Sequence, residues 1–136
     1  MQDLYYLANP YNGTDKQRQE RFEQCCKVTS YFIKNGIHVF SPIVHNHAML
    51  ETVQDWTVDE RKNLILPYDF SFLGRSSAMI LLKLDGWEKS YGVEKELEFC
   101  CKYKIPTFGY TYDQIFSDPS IIQKFIATPH KKTTPV

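Results

Sequence analysis

The sequence has no long apolar stretch, no excess of either charge and no C-x-x-C cysteine spacing, and each absence removes a class of function. No apolar run exceeds five residues, the length of Ala78–Leu82. A bilayer-spanning helix needs about 20, so no membrane partner is expected. Sixteen Lys and Arg offset sixteen Asp and Glu, for a formal net charge of zero. Binding a nucleic-acid polymer through its phosphates needs a basic face, so no such partner is expected either. The opening residues, MQDLYYLANP, carry neither a basic stretch nor a small-residue cleavage pattern, so a cytoplasmic location is expected. The four cysteines stand as adjacent pairs, Cys25–Cys26 and Cys100–Cys101, unlike zinc or redox motifs. Inside helical patterns they read as reduced, small buried hydrophobes. Neither a metal nor a cofactor is expected.

What is present is material for a core. Hydrophobic residues are 43% and aromatics 15% of 136 residues, which excludes disorder. A single domain of this length buries about two-thirds of its unfolded surface. Strand and helix patterns alternate along the chain. Leu4–Ala8 reads as a buried strand ended by Asn9-Pro10. Residues 16–34 place Phe22, Cys25, Cys26, Val28, Thr29, Phe32 and Ile33 at spacings of three and four, one face of an amphipathic helix. Thr14 or Asp15 caps it, and Asn35-Gly36 stops it.

Residues 37–40 read as a second strand, ended by Ser41-Pro42. Residues 44–62 read as loop plus a short helix, and 66–75 as a helix with Pro67 in its first turn. Residues 77–84 form a third, central strand by their continuous hydrophobicity. A helix over 93–104, a fourth strand over 105–110 and a last helix over 119–127, capped by Asp118, follow. The expectation is an α/β fold: a Rossmann-like or flavodoxin-like three-layer sandwich on a mostly parallel sheet of four to five strands. One domain covers residues 1–127, and 128–136 form a loose tail.

In such a sheet, ligands bind at the carboxyl ends of the strands. Three strand ends carry informative residues: Asn9-Pro10-Tyr11; Ser41 to His47; and Gly86 to Gly92, running into Glu94, Glu96 and Glu98. A Ser-x-Gly turn opening a helix offers a hydroxyl and free N–H groups to an anion. The same residues are also what an ordinary capped helix shows. Residues two apart lie about 200° around a helix, so the three glutamates cannot all face the cleft. Trp87 and Tyr11 can stack on a base or pack as lids. His45 and His47 point to opposite faces of a strand, which argues against joint chelation and leaves a ligand contact or a structural hydrogen bond.

Tyr6-Leu7-Ala8-Asn9-Pro10-Tyr11, the Phe40-Ser41-Pro42-Ile43-x-His45-x-His47 stretch, Asp69 with Phe72-Leu73, and Gly86-Trp87-Glu88-Lys89-Ser90-Tyr91-Gly92-Val93-x-x-Glu96 together resemble the nucleoside 2-deoxyribosyltransferase-like superfamily. The likeness is to a branch of short bacterial and phage proteins and runs over roughly residues 4 to 110. The resemblance implies cleavage or exchange of the N-glycosidic bond of deoxynucleosides or their 5′-monophosphates. It implies Glu96 as nucleophile, four residues after Gly92 and before Leu97, with Tyr6 steadying it and Asp69 handling the base or the proton. Ser90, six residues before Glu96, matches members that receive a phosphate. Asn9, Tyr11, His45 and Trp87 complete the expected substrate-binding set. Two positions depart from the pattern: Glu94 stands where a second glycine is usual, and Asn9-Pro10-Tyr11 replaces a smaller turn. The expected partner is a small nucleoside or nucleotide, and a homo-oligomer is expected. The alternative is a non-catalytic nucleotide-binding or sensing module on the same fold.

Overall fold

The computed structural model describes residues 2–127. Four strands, β1 (Leu4–Ala8), β2 (His38–Phe40), β3 (Ala78–Leu82) and β4 (Thr107–Tyr110), form one sheet in the order β2-β1-β3-β4, every pair parallel. Period-two alternation sorts their side chains between two cores. Tyr5, Leu7, Ala78, Ile80 and Leu82 face one layer, built from α1 (Asp15–Lys34), α5 (Tyr112–Ser117) and α6 (Pro119–Ala127). Tyr6, Ala8, Met79 and Leu81 face the other, built from α3 (Val58–Leu73) and α4 (Tyr91–Tyr103). The expected three-layer α/β sandwich is thus formed, with four strands. Every residue of β3 is buried, as its unbroken hydrophobicity requires. Truncating the fully buried Ile80 to Ala would cost about 2–5 kcal/mol.

Helix α1 starts where its capping box dictates. The Thr14 hydroxyl accepts from the Gln17 N–H and the Gln17 side chain accepts from the Thr14 N–H. All four cysteines are free thiols, Cys25 and Cys100 buried.

The segment read as loop plus short helix is different. Two helices overlap it, α2 (Pro42–Glu51) and the 16-residue α3, which also takes in most of the helix expected over 66–75. Ser41-Pro42 does end β2, but the same pair opens α2: the Ser41 hydroxyl accepts from the Val44 N–H, with Pro42 in the first turn. A second capping box, Thr57 with Glu60, starts α3 eight residues before the expected helix, so Pro67 lies in its interior. His45 and His47 therefore sit on a helix, not on a strand end. Helix α5, opened by a third capping box at Thr111 and Gln114, had no expected counterpart. The expected tail, 128–136, lies outside the described residues. Among the described residues no helix is long and apolar enough to cross a membrane.

Candidate functional site

The sheet reverses its direction of growth between β1 and β3, so the loops leaving these two strands diverge and open a crevice. A cavity of about 660 Å³ lies there. Its walls are the turn after β1, helix α2, one face of α3 and the first turns of α4. The α3 face is a run of Lys62, Ile65, Leu66 and Asp69 at spacings of three and four, one stripe of a helix.

Glu96 lines the cavity from the second turn of α4 and is only 6% exposed. Beneath it the Tyr6 hydroxyl, from the middle of β1, donates to Glu96 Oε2 at 2.5 Å. Burial pushes the Glu96 carboxyl up to about 8; the Tyr6 hydrogen bond opposes the rise and the neighbouring Asp69 charge adds to it. Burial, then the Glu96 charge, holds Tyr6 well above the usual phenol value, so it stays a donor. Asp69 is buried on α3, and its Oδ1 accepts from Asn46 Nδ2 at 2.9 Å. Burial pushes Asp69 up to about 6, against the Asn46 hydrogen bond and the His45 charge. Two acids thus face one cavity from α3 and α4, with displaced and different proton affinities, an arrangement capable of acid and base work.

Ser90 caps α4, its hydroxyl accepting from the Val93 N–H at 3.3 Å. Both the capping role and the cavity-facing position expected of it are therefore present in one residue. Gly92 also lines the cavity, and a Cβ built there would meet nothing within 4 Å. The backbone at this helix start is open to the cavity. Arg18, Arg61 and Lys62 stand on its wall with Asp15 and Glu51. Arg18 is held by Asp15 and by the Gly13 carbonyl, whereas Arg61 has no ion-pair partner among the described residues. Lys62 Nζ lies 4.4 Å from the centre of the exposed Tyr91 ring.

On the other wall the Tyr11 hydroxyl and His47 Nδ1 are 2.6 Å apart, and the His47 ring stacks on Phe22 at 3.8 Å. Asn9 is fixed by two contacts: Cys25 Sγ donates to its Oδ1 at 3.1 Å, and its Nδ2 donates to the Pro10 carbonyl at 2.9 Å. Burial pushes the Cys25 thiol up to about 12, so Cys25 serves here as a hydrogen-bond donor to Asn9.

The fold brings Glu96, Asp69, Ser90, Gly92, Asn9 and Tyr11 to one cavity, with Tyr6 bonded beneath it. It does not bring His45 or Trp87 there. His45 is exposed, beside the rings of Phe40, Tyr68 and Phe72. Trp87 packs on the core under α4, with Lys83 Nζ 5.4 Å from its ring centre. Glu94 is exposed and off the cavity wall, so the acid at the glycine position points away. Asn46 and Arg61 escaped the sequence reading because the helices that aim them were not recognised. Among the described residues no cluster of three or more His, Cys, Asp or Glu stands ready for a metal ion.

No curated protein matches the chain. The profile of a family described as a domain of unknown function, DUF1937, matches residues 3–112, four strands and the cavity included. On that match, the chain belongs to the DUF1937 family.

Proposed function

We propose that this protein cleaves or exchanges the N-glycosidic bond of a nucleoside or, on the Ser90 turn, a nucleoside 5′-monophosphate, with Glu96 as the nucleophile. One observation carries the reading: a buried carboxyl, held by a tyrosine hydroxyl, lines the same cavity as Ser90, the open backbone at Gly92 and a second acid. Glycosidic cleavage passes through an oxocarbenium-like state, which a carboxylate traps while an acid protonates the leaving group. Glu96 takes the first part. Its Tyr6 bond fixes Oε2 and leaves Oε1 for the anomeric carbon. Asp69 takes the second, or orients the base. Ser90 and the free N–H groups beside Gly92 receive an anion, and the cations Arg61 and Lys62 support a charged ligand.

The test is incubation of the protein with a panel of ribo- and deoxyribonucleosides and their monophosphates, read as free base by chromatography. Release is expected from at least one, and Glu96→Ala is expected to lower it at least 10³-fold, on the order of a lost nucleophile, while ligand binding by calorimetry persists. Binding with no release in the wild type would establish the second reading, a nucleotide-binding module. The high proton affinity of Glu96, which favours its neutral form at pH 7, favours that second reading.

We also propose a homo-oligomer. Leu64 and Tyr68, one turn apart on α3, leave 53% and 40% of their surface exposed, and light scattering of the purified chain measures the mass directly.

A further inference from the structure

We infer that Asn46 is a positioning residue for Asp69, and that His45 locks the Asn46 amide in the orientation this requires. An amide has a donor end and an acceptor end. Asn46 is buried on α2, with its Nδ2 donating to Asp69 Oδ1 at 2.9 Å and its Oδ1 lying 2.8 Å from His45 Nδ1. Turned over, the amide would present its oxygen to the Asp69 carboxylate, acceptor against acceptor. A hydrogen on His45 Nδ1 matches the observed orientation and opposes the other.

The imidazole is itself held in place. Its ring centre lies 5.7 Å from that of Phe40 and 5.9 Å from that of Tyr68, and Phe40 stacks on Phe72 at 4.1 Å. One connected line therefore runs from the surface of α2 through a buried amide to an acid on the cavity wall. It occupies Asp69 Oδ1 and, among the described residues, leaves Oδ2 without a hydrogen-bond partner. This gives His45 a role although it does not reach the cavity.

The other charged groups around Asp69 are few. Glu96 faces it from α4 and Tyr6 from β1. Arg61 and Lys62 lie on its own helix, and Arg18, Asp15 and Glu51 stand elsewhere on the cavity wall. Burial lifts the Asp69 proton affinity, while Asn46 and His45 hold it down. Removing either of these two raises it.

The consequence for base release rests on the proposed function; the positioning itself does not. The test therefore reads Asp69 directly. Its carboxyl carbon is titrated by ¹³C NMR in the full chain, the signal being assigned by its loss in Asp69→Asn. Asn46→Ala is expected to move the midpoint upward by about one pH unit, and His45→Ala in the same direction by less. Asn46→Asp is expected to move it furthest, because two carboxyls then share the site. His45 is exposed, so His45→Ala carries the test if the Asn46 variants do not fold. Midpoints unchanged in the folded variants overturn the inference, whether or not the protein releases base. Shifted midpoints support it, and with no base released from any nucleotide they leave it standing while the glycosidic reading fails. Where base is released, the acid limb of the pH profile is expected to follow the same shifts.

Discussion

The chemistry of the site turns on which carboxyl holds the proton. Burial pushes Glu96 up to about 8 and Asp69 up to about 6, so between those values the pair carries one proton, mostly on Glu96. A reaction needing ionised Glu96 and protonated Asp69 then runs through the minority arrangement of the singly protonated pair. kcat/KM is expected to be bell-shaped, with limbs near about 6 and about 8. Below the first limb both acids are neutral and no nucleophile exists; above the second both are charged and no acid remains. Tyr6→Phe removes a hydrogen bond that lowers the Glu96 value. The alkaline limb should move up, and the maximum should fall about tenfold for each pH unit of that movement. Stopped assays across pH 5–10 check both. At this scale the place of Glu96 on the cavity wall was legible because its distances of four and six from Gly92 and Ser90 fit the pattern of the superfamily the sequence resembles. Asn46 was not, since a lone polar residue acquires a direction only once its helix is known.

Elements were legible where one signal spoke alone. Unbroken hydrophobicity gave β3, and spacings of three and four gave α1. Ser41-Pro42 carried two meanings at once, strand end and helix start, and reading only the first hid α2. Pro67 invited a helix beginning beside it, although the Thr57–Glu60 box placed the start eight residues earlier than expected. An interior proline costs a helix about 3 kcal/mol, and α3 bears that cost while presenting Asp69 and its lining stripe. Helix α4 raises a related question at Gly92. A helical glycine costs about 0.5–1 kcal/mol against alanine, and nothing of the protein would touch a Cβ there. Gly92 is the second residue of α4, so Gly92→Ala should stabilise the free protein by up to about that amount in urea unfolding. It should also weaken nucleotide binding, measured by calorimetry, because the methyl group takes cavity space next to the open N–H groups.

For the molecule as a whole, the buried acid is a stability cost that depends on pH. Glu96 binds its proton more tightly in the folded chain, near about 8, than at its ordinary 4.5. Its contribution is complete below about 4.5 and is lost as pH rises to about 8. Glu96→Gln carries no such burden. Its melting temperature is expected to gain on the wild type across that window, by on the order of 15 °C at pH 8.5, and to show no gain at pH 4.5. Calorimetric scans of both proteins at the two pH values measure the gap. The three-layer architecture was legible from strand and helix order alone. The cavity's place at the strand ends was legible as well; its α2 and α3 walls were not, because those helices' patterns carry little amphipathic signal.

The hydroxyl and carboxyl that meet at 2.5 Å are separated by 90 positions along the chain. A fragment that lacks either end cannot make that bond. A ribosome must release most of the polypeptide, and the first strand must find the third, before the two groups meet. The reaction proposed for this site would accordingly arrive only with completed assembly, and a partly made or partly unravelled copy would lack it.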